Sequence, residues 1–312
     1  ILAFDARYND SPVPYPWESK NGFAVDLVSV IGFAALLFLW QQKRILKVEA
    51  AFYFVVLFMG IIGSNSRGNY VAVGVVFMLL LLKNFKIKYL LLLVVLISLV
   101  LVRVSDVHWE RFSSITVDTD QGGTGGQRLA LWSTGLRMIG ANPLLGVGPG
   151  EFPLQFSRYA NWQEQKRVGG SNLGSEKINV HNMYLQIGAE NGLIGLALYL
   201  MIIAFSMRNI LVAQRLCRGD PGLQDLMPFV VGLGLGFVGY LVAGIFGNYG
   251  YRLQFYTLVA LATVTKFVVE EARVHKKQES TRQSDAGFIL TRFQVPIRAL
   301  AFILFSYMTL QL

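Results

Sequence analysis

Seven apolar stretches run almost unbroken through the chain: Gly22–Trp40, Ile45–Gly63, Asn69–Leu82, Tyr89–Val102, Asn182–Met207, Leu226–Phe246 and Leu253–Val269. Val295–Leu312 reads as an eighth. About 20 such residues cross the hydrocarbon of a bilayer. Only helices and closed barrels pair their backbone polar groups there. Barrel strands alternate apolar and polar residues, and these runs are continuous. The expected fold class is therefore all-α, a multi-span transmembrane helical bundle of seven or eight spans. The third and fourth stretches are short and must borrow flanking residues or tilt less. Composition agrees: 54% of the 312 residues are hydrophobic and 15% charged, with mean hydropathy +0.47. Soluble domains carry about 25% charged residues. An ordinary cytosolic enzyme, a disordered chain and a disulfide-stapled secreted domain are excluded. The lone Cys217 has no internal partner. The chain begins at Ile1 without a signal-peptide pattern, so we expect it to be part of a longer protein whose earlier spans are absent.

Charge sets the expected sidedness. Lys43, Arg44 and Lys47 separate the first two stretches, and Lys83, Lys86 and Lys88 the third and fourth. Arg208, Arg215 and Arg218 follow the fifth, and Lys266, Arg273, Lys276, Lys277 and Arg282 the seventh. Every second connection is basic, which places those connections in the cytoplasm. The net charge of +9 thus reads as topology, not as nucleic-acid binding. The expected organisation is residues 1–104 as the first part of the bundle, 105–181 as a periplasmic loop and 182–269 as the second part. A cytoplasmic basic segment, 270–294, and a possible further span, 295–312, follow.

The loop is nearly neutral, with eight Lys/Arg and seven Asp/Glu between Arg103 and His181. Glycine runs at 122–126 and 169–170 punctuate it. Leu129, Trp132, Leu136 and Ile139 recur at helical spacing, which predicts an amphipathic helix over Gln127–Ile139 at the membrane surface. Gly146, Gly148 and Gly150 make a tight turn after Asn142-Pro143.

Two arginines sit where short outer loops normally avoid cations: Arg67 in Ser64–Gly68 and Arg252 in Gly247–Arg252. A guanidinium fork there suits a phosphate; the alternatives are snorkelling to headgroups or a local salt bridge. Arg128 and Arg137 are nine residues apart, half a turn round a helix, so they cannot serve one site. His181 opens the fifth stretch, either as a proton acceptor near neutral pH or as a hydrogen-bonded helix end. His108 reads as interfacial and His275 as solvated. Asp118 and Asp120 could hold a divalent ion or form a solvated linker. Asp26 and Glu49 lie near span ends, and Glu190 lies inside a span. Gly188, Gly192 and Gly195 in the fifth stretch, and Gly232 and Gly236 in the sixth, read as helix-packing stripes. No His/Cys metal cluster is visible, and no internal repeat.

The stretch from Gln127 to Leu200 resembles the O-antigen ligase and polymerase superfamily. His181-Asn182, nine residues, then Gly192-Leu193-Ile194-Gly195 is similar to the family's H-[NSQ]-x9-G-x-x-[GTY] signature. Arg128–Trp132 leading into Asn142–Phe152, and Ser66-Arg67-Gly68, carry the rest. The resemblance implies a membrane-embedded GT-C glycosyltransferase, metal-independent and without cofactor. Its donor would be a glycan on undecaprenyl pyrophosphate, and its acceptor a hydroxyl at the periplasmic face of the bacterial inner membrane. It also implies that Arg67 and Arg128 bind the pyrophosphate and that His181 is the base. Arg252 is assigned to the pyrophosphate on its loop position alone. Asn182, Gly192 and Gly195 are motif residues of structural role. A lipid A-core acceptor would make the protein an O-antigen ligase, the preferred expectation. A glycan acceptor would make it a polymerase, and a protein acceptor an O-oligosaccharyltransferase. A small-anion transporter is the rival class, but the ionisable residues gather at span ends rather than at the midplane. A purely structural membrane protein would leave the outer arginines without a purpose.

Overall fold

Apolar runs this long bury little of their backbone polarity unless each pairs its own N–H and C=O groups, and they fold accordingly. The computed structural model describes residues 20–41, 43–83, 124–168 and 178–285. Among these there is no strand. The helices are α1 (Lys20–Trp40), α2 (Arg44–Gly63), α3 (Arg67–Lys83), α4 (Thr124–Ala141), α5 (Phe152–Tyr159), α6 (Trp162–Val168), α7 (Met183–Gly219), α8 (Met227–Ala243) and α9 (Leu253–Asp285), with a 3₁₀ turn over Pro221–Leu226. Five are long and apolar enough to cross a membrane: α1, α2, α7, α9, and α8 with the 3₁₀ turn before it. α3 is a shorter apolar helix. The expected spans Tyr89–Val102 and Val295–Leu312 lie outside the described residues.

α1 and α8 form the centre, packed through glycines. A Cβ on Gly236 would fall 1.8 Å from the Ser29 carbonyl oxygen, and one on Gly232 would meet Phe33. The two backbones therefore touch, as small residues permit between apolar helices. Phe58, Ile61, Val76, Phe77, Tyr240 and Phe255 fill the surrounding core. The outer faces of α2, α7 and α9 stay apolar: Ile45, Phe52 and Val56 on α2, Leu198 and Phe205 on α7, and Val264 and Phe267 on α9 are all exposed. Such a belt suits lipid contact, since a soluble protein rarely leaves so much apolar area open.

Helix ends and turns sort to the two ends of the bundle. Asn69 at the start of α3 donates to the Asn21 carbonyl at the start of α1 (3.1 Å). The Met183 N–H donates to the Gly244 carbonyl after α8 (2.8 Å). The Ser64–Ser66 turn, the start of α7 and the Gly244–Arg252 loop thus share one end. Lys43 lies towards the other, as does the 3₁₀ turn, whose Gly222 carbonyl accepts from Lys276 on α9.

α4, α5, the 178–180 segment and the first turns of α7 share a second core of Leu131, Met138, Phe152, Phe156, Ile178, Val180 and Ala189. α4 is helical as expected, but its buried side carries Leu131, Thr134 and Met138. Leu129 and Leu136, from the expected apolar stripe, are exposed.

α7 is broken. Gly192 has φ 68° and ψ −171°, so the 37-residue helix is two segments. In a continuous helix the N–H groups of Leu193 and Ile194 would bond the carbonyls of Ala189 and Glu190. Here a loop from α4 takes all four groups. Leu193 N–H donates to the Pro143 carbonyl (2.7 Å) and Ile194 N–H to that of Leu144 (3.4 Å). The carbonyls of Ala189 and Glu190 accept from Val147 and Gly148 N–H (2.9 Å each). Gly192 was expected to be one glycine of a helix-packing stripe; it is instead the break. A Cβ there would meet the Leu144 carbonyl oxygen at 2.2 Å, and a Cβ on Gly146, at φ +70°, would meet the Glu190 carbonyl carbon at 2.4 Å. Gly195, the other glycine of the motif, sits against the Asn191 side chain across the break.

This joint predicts an ordered mutational series. Gly150→Ala adds a side chain at φ +77° in open space, a conformational cost of about 1–2 kcal/mol. Gly146→Ala and Gly192→Ala add that cost and a backbone collision. Thermal unfolding in detergent should show the latter two falling well below Gly150→Ala. Equal midpoints for all three would mean the splice does not hold the fold.

Candidate functional site

The site is assembled from three helix starts. Ser64, the C-cap of α2, donates through its hydroxyl to the Ile61 carbonyl (2.6 Å). Asn65 then takes φ 50°, a left-handed conformation that asparagine tolerates. This turn delivers Arg67 to the first position of α3, where its side chain is exposed. A helix start carries partial positive charge from its free N–H groups. A cation there is locally unfavourable, and an anion is favoured twice over.

His181 and Asn182 divide their labour. Asn182 is the N-cap of α7: its Oδ1 accepts from the N–H groups of Tyr184 (3.0 Å) and Leu185 (3.1 Å). His181, just before it, has φ 55°, rare for a residue with a Cβ. Such strain persists only where surrounding structure enforces it. Val180 and Met183 on either side are fully buried, and the Met183–Gly244 bond fixes the segment. The imidazole itself is half-buried.

Arg128, in the second turn of α4, joins these parts. It is half-buried, and burial together with the nearby Arg67 guanidinium holds its pKa below the ordinary value, while Tyr249 opposes the shift. His181 is held below its ordinary 6.5 by burial first and by the Arg128 cation second. The imidazole is therefore neutral at pH 7 and free to accept a proton. Among the described residues, no ion pair involves Arg67 or Arg128. Two guanidinium groups and a neutral imidazole thus gather at one end of the bundle.

Two other arginines carry ion pairs. Arg137, on the far side of α4, pairs with the buried Glu164 of α6 and donates through Nε to the Tyr159 carbonyl (2.8 Å). Burial alone would raise the Glu164 pKa. Hydrogen bonds from Ser133 (2.5 Å) and the Asn161 N–H (2.8 Å), with the Arg137 contact, outweigh it and hold the carboxyl below its ordinary value. Arg252 makes an ion pair with Asp26 of α1, Nη2 to Oδ2 at 3.1 Å. This is the salt-bridge alternative of the sequence reading. The bond joins residues 226 positions apart.

Sequence reasoning did not single out Tyr249 or Asn69. Tyr249 is buried and its hydroxyl pKa is pushed up to about 12 by burial. Its hydroxyl donates to the Asn21 carbonyl (3.3 Å), and its carbonyl accepts from Tyr240 (2.8 Å). It interacts electrostatically with both Arg128 and Arg252, so it links the two groups. Asn69, two residues after Arg67, bonds Ser66 and α1 and fixes the start of α3. The signal available was position alone: each lies within three residues of a flagged arginine.

Asp118, Asp120 and His108 lie outside the described residues. Among the described residues no group of three or more His, Cys, Asp or Glu lies together.

No curated protein sequence matches the chain. A family model described as O-antigen ligase matches residues 52–200. That span takes in most of α2, then α3 with Arg67, α4 with Arg128, the loop spliced into α7, and the His181–Gly195 motif. Over residues 52–200, just under half of its length, the chain is similar to the O-antigen ligase family.

Proposed function

We propose that the protein transfers a glycan from undecaprenyl pyrophosphate to a hydroxyl acceptor at the periplasmic face of the bacterial inner membrane, as an O-antigen ligase acting on lipid A-core. In this reading the chain has seven or eight spans, and residues 105–181 face the periplasm. The observation that carries it is the gathering of Arg67, Arg128 and His181 at one end of an apolar bundle. The similarity of residues 52–200 to the O-antigen ligase family supports the lipid-linked donor. The same chemistry would serve a polymerase or a protein O-oligosaccharyltransferase; transfer assays with lipid A-core, glycan and peptide acceptors separate the three.

The reaction needs charge and a base, and both are at hand. The neutral imidazole of His181 takes the proton from the acceptor hydroxyl as its oxygen attacks the anomeric carbon. The bond from that carbon to the phosphate oxygen breaks, and its electron pair leaves with undecaprenyl pyrophosphate. Arg67 and Arg128 stabilise the charge growing on the leaving group, in place of a metal. Attack opposite the leaving group inverts the anomeric centre. The cap of α4, α5 and α6 excludes water, which would otherwise hydrolyse the donor.

Arg67→Lys and Arg128→Lys keep charge but lose the two-pronged donor fork, so transfer should fall sharply at either site. Arg137→Ala should lower the unfolding temperature and leave the donor KM near wild type. The account fails if Arg137→Ala raises the donor KM while Arg128→Lys does not.

His181→Gln should lose about 10²–10⁴ in transfer rate, the usual worth of a general base, with donor binding intact. The acid limb of the rate profile should lie below pH 6.5, because both burial and Arg128 disfavour the imidazolium. Replacing Arg128 with Gln should raise the His181 pKa in an NMR titration of the donor-free protein. An unchanged or lower value would refute the electrostatic coupling.

Arg252 acts as a positioning residue: paired with Asp26, it anchors the loop that carries Tyr249. Asp26→Asn and Arg252→Lys should then impair transfer alike, without a selective rise in donor KM. A rise confined to Arg252→Lys would return Arg252 to the pyrophosphate.

A further inference from the structure

The loop that splices into α7 has an outer surface of its own. Between Arg137 and Glu151 the sequence contains no charged residue, and Asn142 is its one polar side chain. The Asn142 amide is turned inward, donating to the Tyr159 hydroxyl (2.8 Å). Leu144 and Leu145 point out, 65% and 75% exposed. Their neighbours across the splice, Leu193 and Ile194, are 50% and 49% exposed. Those two begin the exposed apolar face of α7 that continues through Leu198 and Phe205. The loop leucines are therefore the upper end of the apolar belt, joined to it by backbone hydrogen bonds.

The backbone supplies the second argument. Irregular chain exposed to hydrocarbon is excluded unless its polar groups are paired. The carbonyls of Asn142, Pro143 and Leu144 accept from Gly146, Leu193 and Ile194, and the N–H groups of Gly146, Val147 and Gly148 all donate. The N–H groups of Leu144 and Leu145 and the carbonyls of Leu145, Gly146 and Val147 have no backbone partner among the described residues, which limits the loop to the headgroup edge of the hydrocarbon, where water reaches them. Pro143 has no N–H to pair.

We infer that the Asn142–Gly148 loop sits in the edge of the bilayer hydrocarbon, with Leu144 and Leu145 packed against lipid acyl chains. It is a membrane-inserted wedge rather than part of a water-exposed periplasmic loop. It would fix the depth of α4, and with it Arg128, relative to the headgroups. The inference does not depend on the catalytic reading, only on the bundle spanning a bilayer.

The test is depth measurement by spin labelling. Single cysteines replace Leu145, Leu198 on the α7 belt, and Gln163 on the polar side of α6, each with Cys217→Ala. The full chain is reconstituted in phosphatidylethanolamine–phosphatidylglycerol vesicles. Oxygen concentrates in hydrocarbon and a nickel chelate in water. The label at 145 should favour oxygen over nickel as the label at 198 does, and unlike the label at 163. Nickel accessibility matching position 163 would overturn the inference, and so would shielding from both reagents, which would mean that protein covers the leucines. As a check free of the label, a water-soluble maleimide should react with Gln163→Cys and spare Leu144→Cys; rapid reaction at 144 would overturn it equally.

Discussion

The exchange of hydrogen bonds at Gly192 is the constraint on which the rest depends. Breaking a helix orphans backbone groups, and in an apolar bundle each orphan is expensive. Here two intrahelical bonds give way to four bonds with a loop that arrives from α4. The loop cannot approach unless residues 146 and 192 lack side chains. The motif glycine at 192 and the Asn-Pro-to-Gly-Pro-Gly run are therefore two halves of one joint.

That joint fixes where Arg128 and His181 stand relative to one another. It ties α4, bearing Arg128, to the first segment of α7, which begins just after His181. Asn182 caps the segment, and the Met183–Gly244 bond ties it to the loop of Tyr249 and Arg252. The glycines at 188 and 250 admit Ile139 and Ile187 into the same packing. Guanidinium groups and imidazole come from α3, α4 and the start of α7, and no single element could hold them in place. The Arg67 guanidinium disfavours the charged form of Arg128 nearby, and neither forms an ion pair among the described residues.

The helical class and most element boundaries were legible, because apolar runs bounded by charge leave the backbone little choice. α1, α2 and α3 begin and end within two residues of the expected stretches. α7 and α9 run on past theirs, since polar residues continue a helix once it is started. That Arg128 and Arg137 leave α4 on opposite sides was legible from helical angle alone. The break at Gly192 was not: a glycine in an apolar run reads as a packing residue, and its partner loop lies more than forty residues away. Nor was the Asp26–Arg252 pair, since nothing local joins the first described helix to the last.

The central claim is that the cationic end of the bundle recognises a lipid pyrophosphate without a metal. Binding of undecaprenyl pyrophosphate, undecaprenyl phosphate and undecaprenol to the full protein in nanodiscs, with chelator present throughout, tests it most directly. The diphosphate should bind far more tightly than the monophosphate, and the neutral alcohol weakest of all. Equal affinity for all three, or diphosphate binding that appears only when magnesium is restored, would contradict the account.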